Sequence, residues 1–493
     1  MSLSIPNAPN QGLFKPGYQN YDAEDGAVIR NIDACRQIAS TVQTSLGPYG
    51  RNKIVINHLQ KMILTNDAAT ILRELEVVHP AAKLLVMASQ QQEAEMGDAT
   101  NMVIVFAGEL LKKAEELLRM GLKTSEIVQG YERAGKFALE ALEELEIDKV
   151  EDIRDQAELA KAIKTVVAAK QSGSEEVLAD MVAEAVLAVL PKNPYNFNVD
   201  NVRVVKIMGG SLEQSKVVKG MVFGREPDGT VKKATKAKVG VFSCPIDISQ
   251  TETKGTLRRL CRVVGATPLA RLGAPMPDEM GSVDIVETLE IGGDRVTVFR
   301  QENEQTRTAT LVLRGATQNH LDDVERAVDD GVNVVKAITR DPRLVPGAGA
   351  TEMQLIERIT ALADKTSGLA QYAIRKYAEA FEVIPRTLAE SAGLDATEVL
   401  AKLYTAHHQQ TLNSDEDEEI PCLGVDLDNS GVSGSGTIDV EEEGILDLMI
   451  SKSWAIKLAT ESARTVLSVD QIIVARQAGG PKPPGPNPNW DED

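Results

Sequence analysis

The chain has 493 residues, enough for about three domains at roughly 150 residues each, so small scaffolds stapled by disulfides or metals are excluded. Hydrophobic residues make up 43% and charged residues 26%, the balance of a soluble globular protein rather than of a collagen, a coiled-coil rod or a disordered chain. The 53 Lys and Arg against 73 Asp and Glu leave a net charge of −20, which repels phosphate backbones and anionic lipid; neither nucleic acid nor a membrane is an expected partner. A nucleotide remains admissible, because backbone N–H groups at helix N-termini hold phosphates without a basic protein.

In chain order, the first twenty or so residues lack a basic region followed by an apolar run and read as a mobile tail rather than a signal peptide. From about Asp25 to Asp148 the pattern is helical, with a helix over Ala34 to Thr44 and an amphipathic one through Ala107, Leu110, Leu111, Ala114, Leu117 and Leu118. From about Val202 to Leu313 it turns strand-like: VRVVKIM, KVGVFSC, RVTVFRQ and TATLVLRG are bounded by glycine-containing turns. Helix returns past Val345, in MQLIERITALAD and in AIKLATESARTVLSVDQIIVARQ, the latter running to Gln477. The order helical, mixed, helical predicts that both chain ends pack into one helical domain with the middle inserted.

The acidic run from Asn413 reads as a solvated loop, and GGPKPPGPNPNWDED after Ala478 as a second tail. Asp426, Asp428, Ser430 and Gly431 fall at calcium-loop positions, but Thr437 stands where a bidentate Glu is required, so calcium is not expected. Cys35, Cys244, Cys261 and Cys422 form no CxxC pair, which fits a reducing compartment, and no apolar run reaches the roughly 18 residues of a membrane span.

The common catalytic motifs are missing: GxxxxGK[ST], GxGxxG, HExxH and GxSxG do not occur. What remains are four short polar segments that precede helices, where unpaired N–H groups and the helix dipole can hold phosphate oxygens. TSLGPYGRNK, Thr44 to Lys53, is either an ordinary turn or a backbone loop that approaches a ligand. TNDAAT, Thr65 to Thr70, offers Asn66 or Asp67 as a helix cap. GDATN, Gly97 to Asn101, puts a carboxylate at a helix start, suited either to capping or to a Mg²⁺ shared with phosphates. PGAGATE, Pro346 to Glu352, is a glycine run that can come close to a base or sugar.

Together with LDDVERAVDDG (Leu321 to Gly331) and VIPRTLAESAGLD (Val383 to Asp395), these segments resemble the signature series of the group II chaperonins. GLFKPGYQ, EVVHPAAKLLVMASQQQ, VKIMGGSL, TETKGT, RRLCRVVGATPLARLG, EIGGDRVTVF and LRGATQNHLDDVERA extend the likeness from about Gly12 to the C-terminus. The resemblance implies a multidomain α/β chaperonin fold. Its parts would be an all-α equatorial domain (1–136 and 343–493), an α/β intermediate hinge domain (137–217 and 306–342) and an inserted α/β apical domain (218–305).

It further implies ATP and Mg²⁺ as cofactors. Leu46, Gly47 and Pro48 match the family's phosphate loop, and Asp98, within Gly97, Asp98, Ala99, Thr100 and Asn101, its metal carboxylate. Asp67 matches a carboxylate near the attacking water, Asp330 the catalytic carboxylate, and Lys170 a lysine reaching the γ-phosphate end. Gly347 and Gly349 match the run near sugar and base, Gly424 the adenine side, and Asp447 a carboxylate towards the ribose. Implied partners are paralogous subunits in a cytoplasmic hetero-oligomeric double ring and unfolded chains such as actin and tubulin, folded as ATP binding and hydrolysis close the ring.

Three departures qualify this. Ala68 and Ala99 stand where the family usually has glycine, and Asn101 where threonine is frequent; if either alanine must adopt positive φ, nucleotide handling is altered or slowed. That keeps a rival open, a structural ring subunit that binds nucleotide with little turnover. Third, the segment that forms a built-in lid is missing between Thr256 and Leu257. Because a folding chamber without it would lose substrate capture, the resemblance favours an intact polypeptide heavier than 53.2 kDa, with residues intervening at this junction.

Overall fold

A computed structural model describes residues 19–21, 26–57, 60–244, 254–301, 308–413, 422–428 and 436–474. Apolar residues recurring at helical spacing from both chain ends bury one another's faces in a single core, which contains Ile32, Val103, Leu110 and Tyr131 from the first part and Met353, Ile374, Phe381 and Ala459 from the last. At its centre Phe106 and Phe381 stack with centroids 4.3 Å apart, and the buried Tyr131 hydroxyl is satisfied by the Leu110 carbonyl at 2.8 Å.

A second core joins the helices Gln156–Ala168, Glu175–Val189 and Gln318–Ile338 to the strand Ala309–Gly315. This strand is the second in a mixed six-stranded sheet, in the order Val202–Met208, Ala309–Gly315, Lys216–Phe223, Asp294–Arg300, Gly281–Ile291, Lys233–Val239. The first two strands are parallel in the register Ala309↔Val202, and the remaining pairs are antiparallel. Smaller apolar clusters, around Met221, Val241 and Val283 and around Val222, Val296 and Val298, complete the sheet's packing.

Several expectations need correction. The region expected to be all-α, 1–136 with 343–493, also carries antiparallel strand pairs, Lys53–Ile56 with Met62–Thr65, Arg343–Pro346 with Leu446–Leu448 and Leu423–Val425 with Thr437–Asp439. The last long helix, Met449–Leu467, stops ten residues before Gln477. The β-branched Ile472–Val474 instead forms a strand antiparallel to Gln19–Tyr21, a pairing across the whole chain that local periodicity cannot announce. KVGVFSC is not one strand: Lys233–Val239 belongs to the six-stranded sheet, and after Gly240 the short strand Val241–Phe242 pairs in parallel with Pro268–Leu269. The helix expected at Ala34 begins earlier, at Ala27. Finally, Thr256 and Leu257, the junction at which the lid segment was expected, lie side by side inside one helix, Lys254–Val264. The two tails, most of the acidic run, and Ser430 and Gly431 lie outside the described residues.

Candidate functional site

Two helices begin at one cavity of about 430 Å³, within the range of small-ligand pockets. They are Thr100–Arg119, entered through Ala99 with φ 62, and Ala350–Lys365, entered through Gly349 with φ 85; neither has a side chain capping its first turn. Apart from Ala350 N–H, which donates to Gly347 O at 3.0 Å, their leading N–H groups and the positive ends of two dipoles have no side-chain cap and face the cavity end. The cavity wall also includes Leu46, Gly47 and Pro48, in a loop closed on itself by Arg51 N–H to Thr44 O (2.8 Å) and Ser45 Oγ to Arg51 O (2.8 Å). Asp98, Asp447 and the apolar Val425, Ile438 and Ile445 complete the parts that matter here.

A second cavity, of about 580 Å³, is lined by charged side chains, among them Asp67, Lys170 and Asp330, none of which lines the first. Asp67 caps the helix Ala68–Glu74 by accepting from Thr70 N–H at 2.8 Å, and it also receives the Thr100 hydroxyl at 2.9 Å. Lys170 follows the end of the Gln156–Ala168 helix and places its ammonium between Asp67 (3.2 Å) and Asp330 of the Gln318–Ile338 helix. Asp67, Asp98, Lys170 and Asp330 interact electrostatically, so four residues spread over 264 positions of sequence meet at one place.

Their environments separate them chemically. Burial pushes the Asp67 carboxyl up, but Lys170 and the hydrogen bonds from Thr70 and Thr100 outweigh it and hold the group well below the usual range. Burial works against charge on Lys170, yet Asp330, Asp67 and Asp98 together hold it protonated. Burial dominates for Asp330, with Asp67 and Asp98 adding to it, and raises its carboxyl well above the ordinary value against the opposing pull of Lys170. Asp98 is raised to about 6, first by burial and then by Asp447 and Asp67, against a hydrogen bond from Ala99 and the Lys170 charge. Carboxylates with divergent pKa values side by side are the usual way to assign one as a base and another as a fixed charge.

The remaining expected residues are less direct. Thr100 and Asn101 do not line the nucleotide-sized cavity. Asn101 donates to Ser45 O (2.8 Å) and Asn66 O (3.1 Å) and accepts from Ala68 N–H (2.7 Å), tying three site loops together instead of facing a ligand. Gly97, Gly347 and Gly424 are required by protein packing: a Cβ at these positions would meet Asn333 Cβ at 2.3 Å, Ile445 O at 2.8 Å and Val440 Cγ1 at 2.7 Å. Of the two flagged alanines, only Ala99 has positive φ; Ala68 opens a helix and is fully buried.

That difference is testable. Ala99→Gly is expected to raise stability, because a left-handed alanine costs about 1 kcal/mol, partly offset by the freer unfolded chain. Ala68→Gly is expected to lower stability by about 1 kcal/mol through lost helix propensity alone. Thermal unfolding of the two variants beside the parent checks both signs.

Sequence reading missed the residues that hold the loops in place. Asp323, buried on the same helix face as Asp330, accepts from Gln171 at 2.7 Å and so fixes the turn carrying Lys170. Arg326 reaches Leu64 O at 3.1 Å, and Asn66 reaches Ala169 O at 3.3 Å. The i, i+3, i+7 spacing of Asp323, Arg326 and Asp330 was the available signal: three charges on one face of a helix otherwise buried call for partners.

The sequence profile of the TCP-1/cpn60 chaperonin family matches residues 38–258 and 253–477. The chain belongs to that family. Its two matched stretches meet at the Thr256–Leu257 junction, where the expected segment is missing. Curated relatives named T-complex protein 1 subunit theta include those of Saccharomyces cerevisiae, 50% identical, and Homo sapiens, 45% identical; a probable one from Schizosaccharomyces pombe is 53% identical. Each comparison covers 100% of both chains, so the likeness expected from the sequence extends to this particular chaperonin subunit. The alignment with the Schizosaccharomyces pombe relative runs over 557 positions, so at least 64 of them face a gap in this 493-residue chain. The chain is thus a chaperonin subunit for protein folding, from a family of ATPases. Among the described residues no helix is long and apolar enough to cross a membrane.

Proposed function

We propose that this chaperonin subunit binds ATP with Mg²⁺ in the 430 Å³ cavity and hydrolyses it at the Asp67–Lys170–Asp330 cluster, coupling turnover to closure of a cytoplasmic hetero-oligomeric double ring, TRiC/CCT, around unfolded chains such as actin and tubulin. The observation that carries the reading is the convergence of three carboxylates, Asp67, Asp98 and Asp330, around Lys170, with Asp98 also lining the cavity at which two uncapped helices start. On this reading the helical core shared by both chain ends is the equatorial domain, 137–217 with 306–342 the intermediate hinge, and 218–305 the apical domain.

Hydrolysis of a γ-phosphoryl needs positioning and charge neutralisation more than covalent help. The Leu46–Pro48 loop and the two helix N-termini supply neutral donors for phosphate oxygens. The donor set suits Mg²⁺, which prefers one or two carboxylates plus phosphate oxygens: Asp98 sits at a helix start among carboxylates that raise its pKa, an excess of negative charge a cation relieves. Bound there, the ion would neutralise charge on the phosphates. Asp330, with its raised carboxyl, is suited to take the proton of a water, and Asp67, held ionised, to orient that water. Lys170 can exchange Asp330 for a γ-phosphate oxygen, which would make the Gln318–Ile338 helix sense the nucleotide.

Calorimetric titration of the full chain with ATP in the presence and absence of Mg²⁺, followed by phosphate-release kinetics, tests the reading. Saturable Mg²⁺-dependent binding with turnover supports it; no binding overturns it. Tight binding without turnover assigns the scaffold role that Ala99 makes the specific alternative.

A further inference from the structure

On the wall of the cavity away from Lys170 stands a second buried lysine. Lys452, in the first turn of the Met449–Leu467 helix, is 5% exposed, and its ammonium is gripped by both oxygens of Glu352, which is 1% exposed, at 2.8 and 3.1 Å. The same ammonium reaches Oδ2 of Asp447 at 3.1 Å. Asp447 lies on the strand Leu446–Leu448, whose partner strand Arg343–Pro346 runs into the glycine turn opening the Ala350–Lys365 helix; its side chain remains 30% exposed, and it lines the cavity.

The three groups are not equivalent. Glu352 turns both oxygens to Lys452, at 2.8 and 3.1 Å, and is 1% exposed. Asp447 gives one oxygen to the lysine, and among the described residues its other oxygen has no hydrogen-bond partner. A carboxylate fixed by one oxygen, with the other turned to a nucleotide-sized cavity, is an arrangement suited to accept hydrogen bonds from the hydroxyls of a sugar. Without the ammonium, two carboxylates would face each other in a poorly solvated corner and Asp447 would swing away. Burying Lys452 and Glu352 costs desolvation, which a purely structural role would not require, since a packed apolar pair serves stability as well.

We infer that Lys452, locked by Glu352, is a positioning residue that holds Asp447 against the sugar of the bound nucleotide and so sets the preference for a ribose over a sugar without hydroxyls. This deepens the proposed nucleotide reading and rests on it.

The test compares calorimetric affinities of the full chain for Mg²⁺-ATP and Mg²⁺-2′,3′-dideoxy-ATP. A hydrogen bond to a charged acceptor contributes about tenfold or more, so the parent is expected to favour ATP by at least about tenfold. Lys452→Met, Asp447→Asn and the charge-balanced double variant Lys452→Met/Glu352→Gln are each expected to bring the ratio within about threefold of unity, while Lys452→Arg keeps most of the preference. The double variant leaves no unpaired buried charge, so it separates a lost fold from a lost contact. If the double variant keeps the parent's preference while Asp447→Asn loses it, the positioning role is overturned and the sugar site stands. Should Asp447→Asn leave the ratio unchanged, the sugar site itself is wrong, and the inference about Lys452 falls with it.

Discussion

Replacing Asp330 by alanine is expected to slow ATP hydrolysis by the full chain about 100-fold or more, the usual contribution of a positioned general base, while changing ATP affinity only a few-fold. The carboxyl is the group in the cluster best suited to accept a proton: burial and its acidic neighbours hold its pKa high, and it arrives on a helix separate from those that would grip the phosphates. Asp330→Asn keeps the shape and is expected to lose nearly as much, because an amide cannot take the proton. The variant also frees Lys170 from one of its two carboxylates, leaving Asp67 at 3.2 Å, so its protonated state persists and the electrostatic frame for the phosphate survives. Single-turnover chemical quench with γ-labelled ATP measures the step directly. Hydrolysis by Asp330→Ala at the parent's rate would remove Asp330 from the chemistry and return the function to that of a nucleotide-binding scaffold.

Ordered motifs announced where the chemistry gathers better than how it is held. Asp67 and Asp98 were readable because each sits in a short segment whose residue types make sense beside phosphate, whereas Lys170 and Asp330 came only from the resemblance; the fold brings all four together. Ala68 and Ala99 were flagged alike because the resemblance puts glycine at both, and only Ala99, with φ 62, takes the left-handed conformation that is costly for alanine. The supporting contacts were not readable. Asn101 looks like a ligand-facing cap in sequence but spends its amide on Ser45, Asn66 and Ala68. Gly97 looks like a phosphate glycine, yet its left-handed backbone, φ 77, and the closeness of Asn333, 236 positions away, are what forbid a side chain there. Lys452 lies in no motif at all. Each depends on a partner distant in sequence, and a single chain read locally carries no record of who that partner is.

Asp98→Asn is expected to make the protein more stable and less functional at once. In the folded chain the Asp98 carboxyl is raised to about 6 by burial and by Asp447 and Asp67, so at pH 7.5 its ionised form costs the fold about 3 kcal/mol relative to an unperturbed carboxyl. The amide has the same shape and no charge, and it can still accept from the Ala99 N–H, so the cost disappears while the helix entry is kept. In Mg²⁺-free buffer the melting temperature of the variant should therefore rise by a few degrees. The same carboxylate is the group placed to share a metal ion with the phosphates, and a neutral amide is a poor magnesium ligand. Adding Mg²⁺-ATP should then lift the melting temperature of the parent and leave that of Asp98→Asn nearly unchanged, because stabilisation by a ligand scales with its concentration over Kd. The two shifts have opposite signs, which separates a functional carboxylate from a structural one: a cap or packing residue would lose stability on replacement and would keep its response to nucleotide. A variant that melts lower than the parent without Mg²⁺, yet is stabilised as much by Mg²⁺-ATP, would place Asp98 among the helix caps and leave the metal to be held elsewhere.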